Sequence, residues 1–234
     1  MNGFLLVNKP AGLTSYDIIR KIKHFIPPKT KIGHSGTLDP FATGLLIVAI
    51  GRTYTRQLDS LINLDKIYQA EITLGKETDS YDIDGKETFK YADKINLTES
   101  EVKSTIQKFT GTIDQLPPIF SAKKINGTNA YKLARKGEKV ELKPSKITIY
   151  EIQLTEFNQS NDTLNISVHC SKGTYIRSLA YDIGKDLKVG GFLSKLARLS
   201  IGNVSIDDAI TIDNLSEETI KKGLKSVLPW MTLI

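Results

Sequence analysis

Gly33-His34-Ser35-Gly36-Thr37-Leu38-Asp39-Pro40-Phe41-Ala42-Thr43-Gly44, followed directly by Leu45-Leu46-Ile47-Val48-Ala49-Ile50, is the stretch on which a reading of this chain turns. Three glycines in twelve residues permit tight backbone turns and close approach of a ligand. Asp39 precedes a proline, which pushes its backbone toward an extended conformation. The apolar run that follows falls far short of the ~20 residues a membrane span requires and reads as a buried strand. An aspartate on an ordered loop just ahead of a buried strand either projects into a cleft or closes its own loop as an Asx-turn.

Working outward, Phe4-Leu-Leu-Val reads as a short strand stopped at Pro10. Thr14 with Asp17 forms an N-terminal capping pattern for a helix whose apolar face is Ile18, Ile19, Ile22, Phe25 and Ile26, ended by Pro27-Pro28. Downstream of the central stretch a helix is expected over 53–61. An alternating strand follows over 66–74, with Tyr68, Ala70, Ile72 and Leu74 on one face. Residues 76–96 read as an irregular acidic connection. Thr98 and Glu101 cap a helix through Phe109 closed by Gly111, and 112–127 reads as a loop with little regular structure. A short basic helix from Ala130 to Lys136 ends at Gly137. Strands over 147–157 and 163–170 flank the polar turn Ser160-Asn161-Asp162, and Ile176, Leu179, Ala180, Ile183 and Leu187 make a helical stripe. The tail carries capped helical patterns at Ser205 and Ser216. Strands and helices mix without regular alternation, which favours an α+β fold with a mixed, mainly antiparallel central sheet flanked by helices and loops.

Composition excludes several chemistries. With Cys170 the sole cysteine, no intramolecular disulfide and no cysteine-based zinc site can form. Cys170 alternates with Leu164, Ile166 and Val168 like one face of a strand, so it reads as a core residue and not a nucleophile. His24, His34 and His169 lack metal-ligand spacing, and neither a phosphate-binding glycine loop nor a nucleophile-elbow serine is present. No targeting segment is visible, which with the lone thiol suits the cytoplasm. The net charge of +6 is unevenly spread. Residues 1–58 hold eight bases against two acids, residues 119–150 again eight against two, and residues 59–118 seven against twelve. Two basic segments fit either a polyanion such as RNA or two solvated lysine-rich surfaces.

Six short motifs in order carry a resemblance to a known family. They are Lys9-Pro10-Ala11-Gly12-Leu13-Thr14-Ser15, Gly33 to Pro40, Lys66-Ile67-Tyr68, Thr78-Asp79-Ser80-Tyr81-Asp82-Ile83-Asp84-Gly85, Gln115-Leu116-Pro117-Pro118 with Ser121-Ala122-Lys123, and Cys170 to Leu179. Together they resemble the TruB family of tRNA pseudouridine synthases from Leu5 to about Val204. The resemblance implies the pseudouridine-synthase fold in a single catalytic domain over 1–234. It also implies isomerisation of the uridine at position 55 in the T-loop of tRNA. Asp39 matches the essential aspartate, which either attacks the flipped nucleoside or abstracts a sugar proton. Tyr68 matches the tyrosine that stacks on the uracil and helps remove the C5 proton, although its strand face also suits a core aromatic. Arg177 matches the arginine that pairs with the catalytic aspartate. His34 matches a histidine packing against the T-loop, Tyr175 supports the pocket, and Leu199 lines either the uracil pocket or the core. The implied reaction needs no metal or organic cofactor, and the implied partner is the T-arm of tRNA, with no membrane, no protein partner and a monomeric chain.

Two departures stand out. Phe120 occupies a place where a tyrosine is common, and the chain stops shortly after Trp230, so a complete C-terminal RNA-binding domain of the PUA type is expected to be absent or vestigial. Three other readings compete. They are a non-catalytic RNA-binding protein on the same scaffold, a relative acting in a guide-RNA particle, and a glycosidic hydrolase pairing Asp39 with Asp79 or Asp82.

Overall fold

The computed structural model describes residues 1–121, 123–125, 127–136, 138, 140–213 and 215–228. From the N-terminus the chain forms β1 (Gly3–Lys9), α1 (Ser15–Lys23), β2 (Ile32–His34), β3 (Thr43–Ile50), α2 (Arg52–Thr55), α3 (Leu58–Ile62) and β4 (Lys66–Leu74). Next come β5 (Lys76–Thr78), β6 (Glu87–Lys90), α4 (Glu99–Gln107), β7 (Gly111–Gln115), β8 (Lys124–Ile125), β9 (Thr128–Asn129), α5 (Ala130–Arg135), β10 (Ser145–Asn158), β11 (Thr163–Cys170) and α6 (Ile176–Asp186). The chain continues through β12 (Gly191–Ile201), β13 (Val204–Ser205), a 3-10 turn at Ile206–Asp208, β14 (Ile210–Thr211), α7 (Glu217–Gly223) and β15 (Leu224–Lys225). These elements group into two compact units, one of residues 1–69 with 196–234 and one of residues 70–195.

In the first unit β1 and β3 run antiparallel, from Gly3 opposite Ile50 to Lys9 opposite Gly44. β14 flanks β1 in parallel and β15 antiparallel, while β12 meets β3 in parallel at Ala197 and Arg198. Alternate residues go to opposite faces. Leu5, Val7, Leu46, Val48 and Ile50 pack with Ile18, Ile19 and Ile22 of α1. Phe4, Leu6, Leu45, Ile47 and Ala49 pack with Leu61, Ile201 and Val204. Burial on both faces is why these strands read as unbroken apolar runs and not as alternation. α1 begins with a complete capping box, in which Thr14 and Asp17 bond each other's backbone.

The second unit has the strand order β12-β4-β11-β10-β7, in which β12 takes part through 191–195 and β4 through 70–74. β10 and β11 form a long antiparallel hairpin, and β7 pairs antiparallel with the start of β10. Gln107 of α4 donates to the Ile152 carbonyl at 3.0 Å, and Lys108 meets Asp186 of α6 at 2.7 Å. α6 returns to the sheet so tightly that a Cβ on Gly184 would stand 2.3 Å from the Gly191 nitrogen.

The sheets are mixed and mainly antiparallel, as expected, and most elements lie where periodicity places them. Several segments differ. The span 112–127 holds β7 and β8, which pairs with β9 just beyond it; Thr112 to Gln115 is a short edge strand whose signal is masked by Gly111 and Pro117. The connection 76–96 contains the β5–β6 hairpin, and the loop 29–44 contains β2. The helix expected over 53–61 is two short helices, α2 and α3. Strand β12 had no clear period, since Ser194-Lys195 and Leu199-Ser200 interrupt its alternation of buried residues. The pattern at Ser205 caps a 3-10 turn. Ala122, Gly137 and Trp230 lie outside the described residues. Among the described residues no helix is long and apolar enough to cross a membrane.

The Gly184–Gly191 approach leads to a test of packing. Gly184→Ala forces a methyl group into backbone atoms that cannot step aside, so urea unfolding should show a loss of about 2–3 kcal/mol, the upper part of the overpacking range. An unchanged midpoint would mean that α6 and β12 separate freely.

Candidate active site

Asp39 sits in the first unit on the loop between β2 and β3. The loop leaves β2 with Ser35 N bonded to the Ile47 carbonyl at 2.9 Å and turns through Gly36 at φ +76°. Leu38, 3% exposed, is its apolar anchor. On one side of Asp39 the buried Ser15 hydroxyl accepts from Leu38 N at 2.9 Å and lies 3.2 Å from the Leu38 carbonyl, to which it can donate. On the other side the Pro40 carbonyl accepts from Gly12 N at 2.8 Å and from the Lys9 ammonium at 3.3 Å. Ala42 N closes the turn on the Asp39 backbone carbonyl at 3.1 Å. The residues before and after Asp39 are therefore both tied to the opening motif of the chain, at the end of β1 and the start of α1.

Lys9 is fully buried, and its ammonium also donates to the carbonyls of Pro10 at 2.9 Å and Leu13 at 2.7 Å. Burial lowers its pKa to about 8; attraction to Asp39 opposes the shift, and the charge of Arg198 adds to it. Arg198 of β12, 2% exposed, donates through Nε to the Leu45 carbonyl at 2.8 Å and through Nη2 to the Gly36 carbonyl at 3.2 Å. His34, half-buried at the end of β2, has its pKa lowered by burial and then by the Arg198 charge, so its ring is neutral at pH 7.

Tyr68 stands on β4 at 9% exposure, two residues beyond Lys66, whose ammonium donates to the Ile62 carbonyl at 2.7 Å and to that of Leu64. Leu199 is half-buried next to Arg198 on β12. Neighbouring strand residues point to opposite faces, so Leu196 shares a face with Arg198 and Leu199 takes the other.

Arg177 lies in the second unit, in the first turn of α6, at 6% exposure. Its guanidinium donates to the Ser80 carbonyl at 3.2 Å and the Phe120 carbonyl at 2.9 Å, and meets the Asp82 carboxylate at 3.2 Å. Asp82, also buried, further accepts from the Ser80 hydroxyl at 2.6 Å and Asp84 N at 3.1 Å. Tyr81 between them is held at φ +63°, a conformation bulky residues avoid, with its ring stacked on Tyr181 at 4.2 Å. Tyr175 is the N-cap residue of α6, and its backbone N–H and carbonyl both bond the buried Gln115 amide, at 2.8 and 3.0 Å. Arg177 thus draws together three of the quoted motifs, at 78–85, 115–121 and 170–179.

Sequence reasoning gave no individual role to Ser15, Lys9, Arg198 and Gln115, and weighed Asp82 only as a second carboxylate. The available signal was a charge inside an apolar run, as in Leu5-Leu6-Val7-Asn8-Lys9 and Leu196-Ala197-Arg198-Leu199.

Comparison with known proteins adds a second line. Residues 23–176 match the model of the TruB family pseudouridylate synthase N-terminal domain. The tRNA pseudouridine synthase B of Francisella philomiragia is 46% identical over 227 residues, covering 97% of this chain and 74% of that protein. The tRNA pseudouridine synthase B of Aquifex aeolicus is 44% identical over 234 residues, covering all of this chain and 79% of its own length. A solved H/ACA RNP bound to a substrate RNA containing 2'-deoxyuridine is similar with a TM-score of 0.66 at 25% identity; the match covers 91% of this chain and 52% of that one.

The Lys9 ammonium gives a pH test. Its proton is held less tightly in the folded chain, near pH 8, than in the unfolded chain, near 10.5. Between these values the unfolded state binds more protons, so stability rises with pH. Urea unfolding at intervals from pH 7 to 10.5 should show the wild type gaining on Lys9→Met across that window. A difference that stays flat means that the folded environment does not penalise the ammonium.

Proposed function

Since the chain belongs to the TruB family of pseudouridylate synthases, and is a tRNA pseudouridine synthase, we propose that it converts the T-loop uridine at position 55 of tRNA with Asp39 as the catalytic carboxylate, Tyr68 as the stacking platform and Arg177 as the supporting cation. The observation that carries the assignment is the restraint of the backbone on both sides of Asp39 by Ser15, Gly12 and Lys9. A loop that merely closed a turn has no need of buried donors at each neighbour of its aspartate.

The chemistry suits this set. Uridine and pseudouridine are isomers. The C1′–N1 bond breaks, C1′ joins C5, and the proton lost from C5 is balanced by one gained at N1. No electrons enter or leave, so the reaction calls for no cofactor. The target base must leave its stack, at a cost of a few kcal/mol. An aromatic platform offsets part of that, since stacking is worth roughly 1–3 kcal/mol per base. The carboxylate must be ionised where water is scarce, and fixed positive charge makes that possible. His34, Tyr175 and Leu199 complete the substrate contacts in this reading. The two basic segments bind phosphates of the T-arm, so affinity falls as salt rises. Residues 1–234 act as one catalytic domain, in the cytoplasm, as a monomer that needs no partner protein. The stronger identity to the tRNA pseudouridine synthase B of Francisella philomiragia, 46% against 25% for the H/ACA RNP chain, supports tRNA as the substrate.

Pseudouridine mapping on an unmodified tRNA transcript tests the proposal. The wild type should modify the T-loop uridine, and Asp39→Asn should bind the RNA but react at least about a thousandfold more slowly, on the order of 4 kcal/mol in barrier. Tyr68→Ala should lose roughly tenfold to a hundredfold, in line with one stacked base. RNA bound by the wild type but never modified would leave a binding protein on a synthase scaffold.

A further inference from the structure

Among the described residues Arg198 is the largest fully buried side chain, and it is a guanidinium. Among the described residues no carboxylate pairs with it; its partners are the backbone carbonyls of Gly36 and Leu45. Gly36 lies at the start of the loop that carries Asp39, and Leu45 lies just past its end, inside β3. The backbone of Arg198 also stands against the same loop. It pairs in register with Gly44, whose φ of +107° and absent Cβ allow the contact, since a Cβ there would lie 2.3 Å from the Arg198 carbonyl oxygen. The other terminal nitrogen, Nη1, lies 3.6 Å from where a Cβ of Gly36 would be. The loop is wrapped around one residue.

Strand pairing does not require this side chain. β12 meets β3 through backbone at Ala197–Thr43 and Arg198–Gly44, and a leucine would fill the same space without the cost of burying a charge. What a leucine cannot do is bond both carbonyls at once or supply charge. The charge is felt nearby, since it lowers the pKa of both Lys9 and His34.

We infer that Arg198 is a positioning residue for the isomerisation: its guanidinium closes the loop from Gly36 to Leu45 and keeps the Asp39 backbone in its reactive place. This inference rests on Asp39 as the catalytic carboxylate, so its test needs one readout that does not depend on activity. Lysine at this position keeps the charge but reaches one carbonyl at a time, and methionine keeps only the volume.

The experiment measures single-turnover rate at saturating tRNA transcript, RNA affinity, thermal midpoint and amide hydrogen exchange over residues 33–44 for the wild type, Arg198→Met, Arg198→Lys and Asp39→Asn. The expected result is at least a tenfold loss of rate in Arg198→Met with affinity within twofold of wild type. Exchange in the loop should be at least tenfold faster, and Arg198→Lys should fall between on both measures. If Arg198→Met does not fold, Arg198→Lys carries the test alone, with smaller losses of rate and protection. Wild-type rate and wild-type loop exchange in the folded variants overturn the inference, as does a rate that falls only in step with the thermal midpoint. An active Asp39→Asn with a loosened loop in Arg198→Met instead removes Asp39 from the chemistry while leaving the clamp intact.

Discussion

A carboxylate can act on a nucleoside only if the backbone beneath it stays in place, and between Ser35 and Ala42 no strand or helix ladder provides that restraint. Three side chains and one backbone N–H provide it instead. Ser15 occupies both polar groups of Leu38, Gly12 and Lys9 hold Pro40, and Arg198 holds Gly36 and Leu45. Each donor comes from a regular element or its immediate flank, so the rigidity of β1, α1 and β12 is passed to an irregular segment. The double-sided core around β1 and β3 is the foundation of this arrangement. Burying both faces fixes the register of the strands, and the register fixes where Lys9 and Gly44 fall.

The two units solve the problem of a buried cation differently. Arg177 is neutralised by Asp82 and takes two carbonyls besides. Lys9 and Arg198 are held by backbone carbonyls, and Lys9 feels both the repulsion of Arg198 and the attraction of Asp39. Buried charge of this kind lowers stability and is retained where an anion must be kept ionised nearby. The second unit places strain beside its ion pair, since Tyr81 is forced into a left-handed conformation within the turn that presents Asp82.

The elements with a strong local signal were legible in the sequence. Capping boxes at Thr14 and Thr98 give the starts of α1 and α4, and the apolar runs give β1 and β3. β7 and β12 were not, because both owe their existence to long-range pairing: β7 borrows its ladder from β10, and β12 carries breaks at Lys195 and Ser200 that blur its period. The same divide runs through the site. Asp39 announces itself by its glycine-rich setting and its proline. The residues that hold it, Ser15 and Arg198, look like an ordinary helix-start serine and a stray charge, and acquire meaning only once chain segments 23 and 162 residues apart are brought together. The single-domain reading and the roles of Tyr68, Arg177, His34, Tyr175 and Leu199 come from the family's motifs; periodicity alone gives none of them.

β1 has as its edge partners two strands made near the other end of the chain, with Val7 opposite Ile210 and Leu5 opposite Leu224. The unit of residues 70–195 is one contiguous stretch, whereas the unit that holds Asp39 is split around it. During synthesis the ribosome therefore delivers every residue of the contiguous unit while β1 still lacks β14 and β15 and β3 still lacks residues 196–201 of β12. Contacts of such high sequence separation form late and slowly. The guanidinium that closes the Asp39 loop arrives with them, so a nascent chain holds all of its early motifs for some time before it has a fixed carboxylate to offer to RNA.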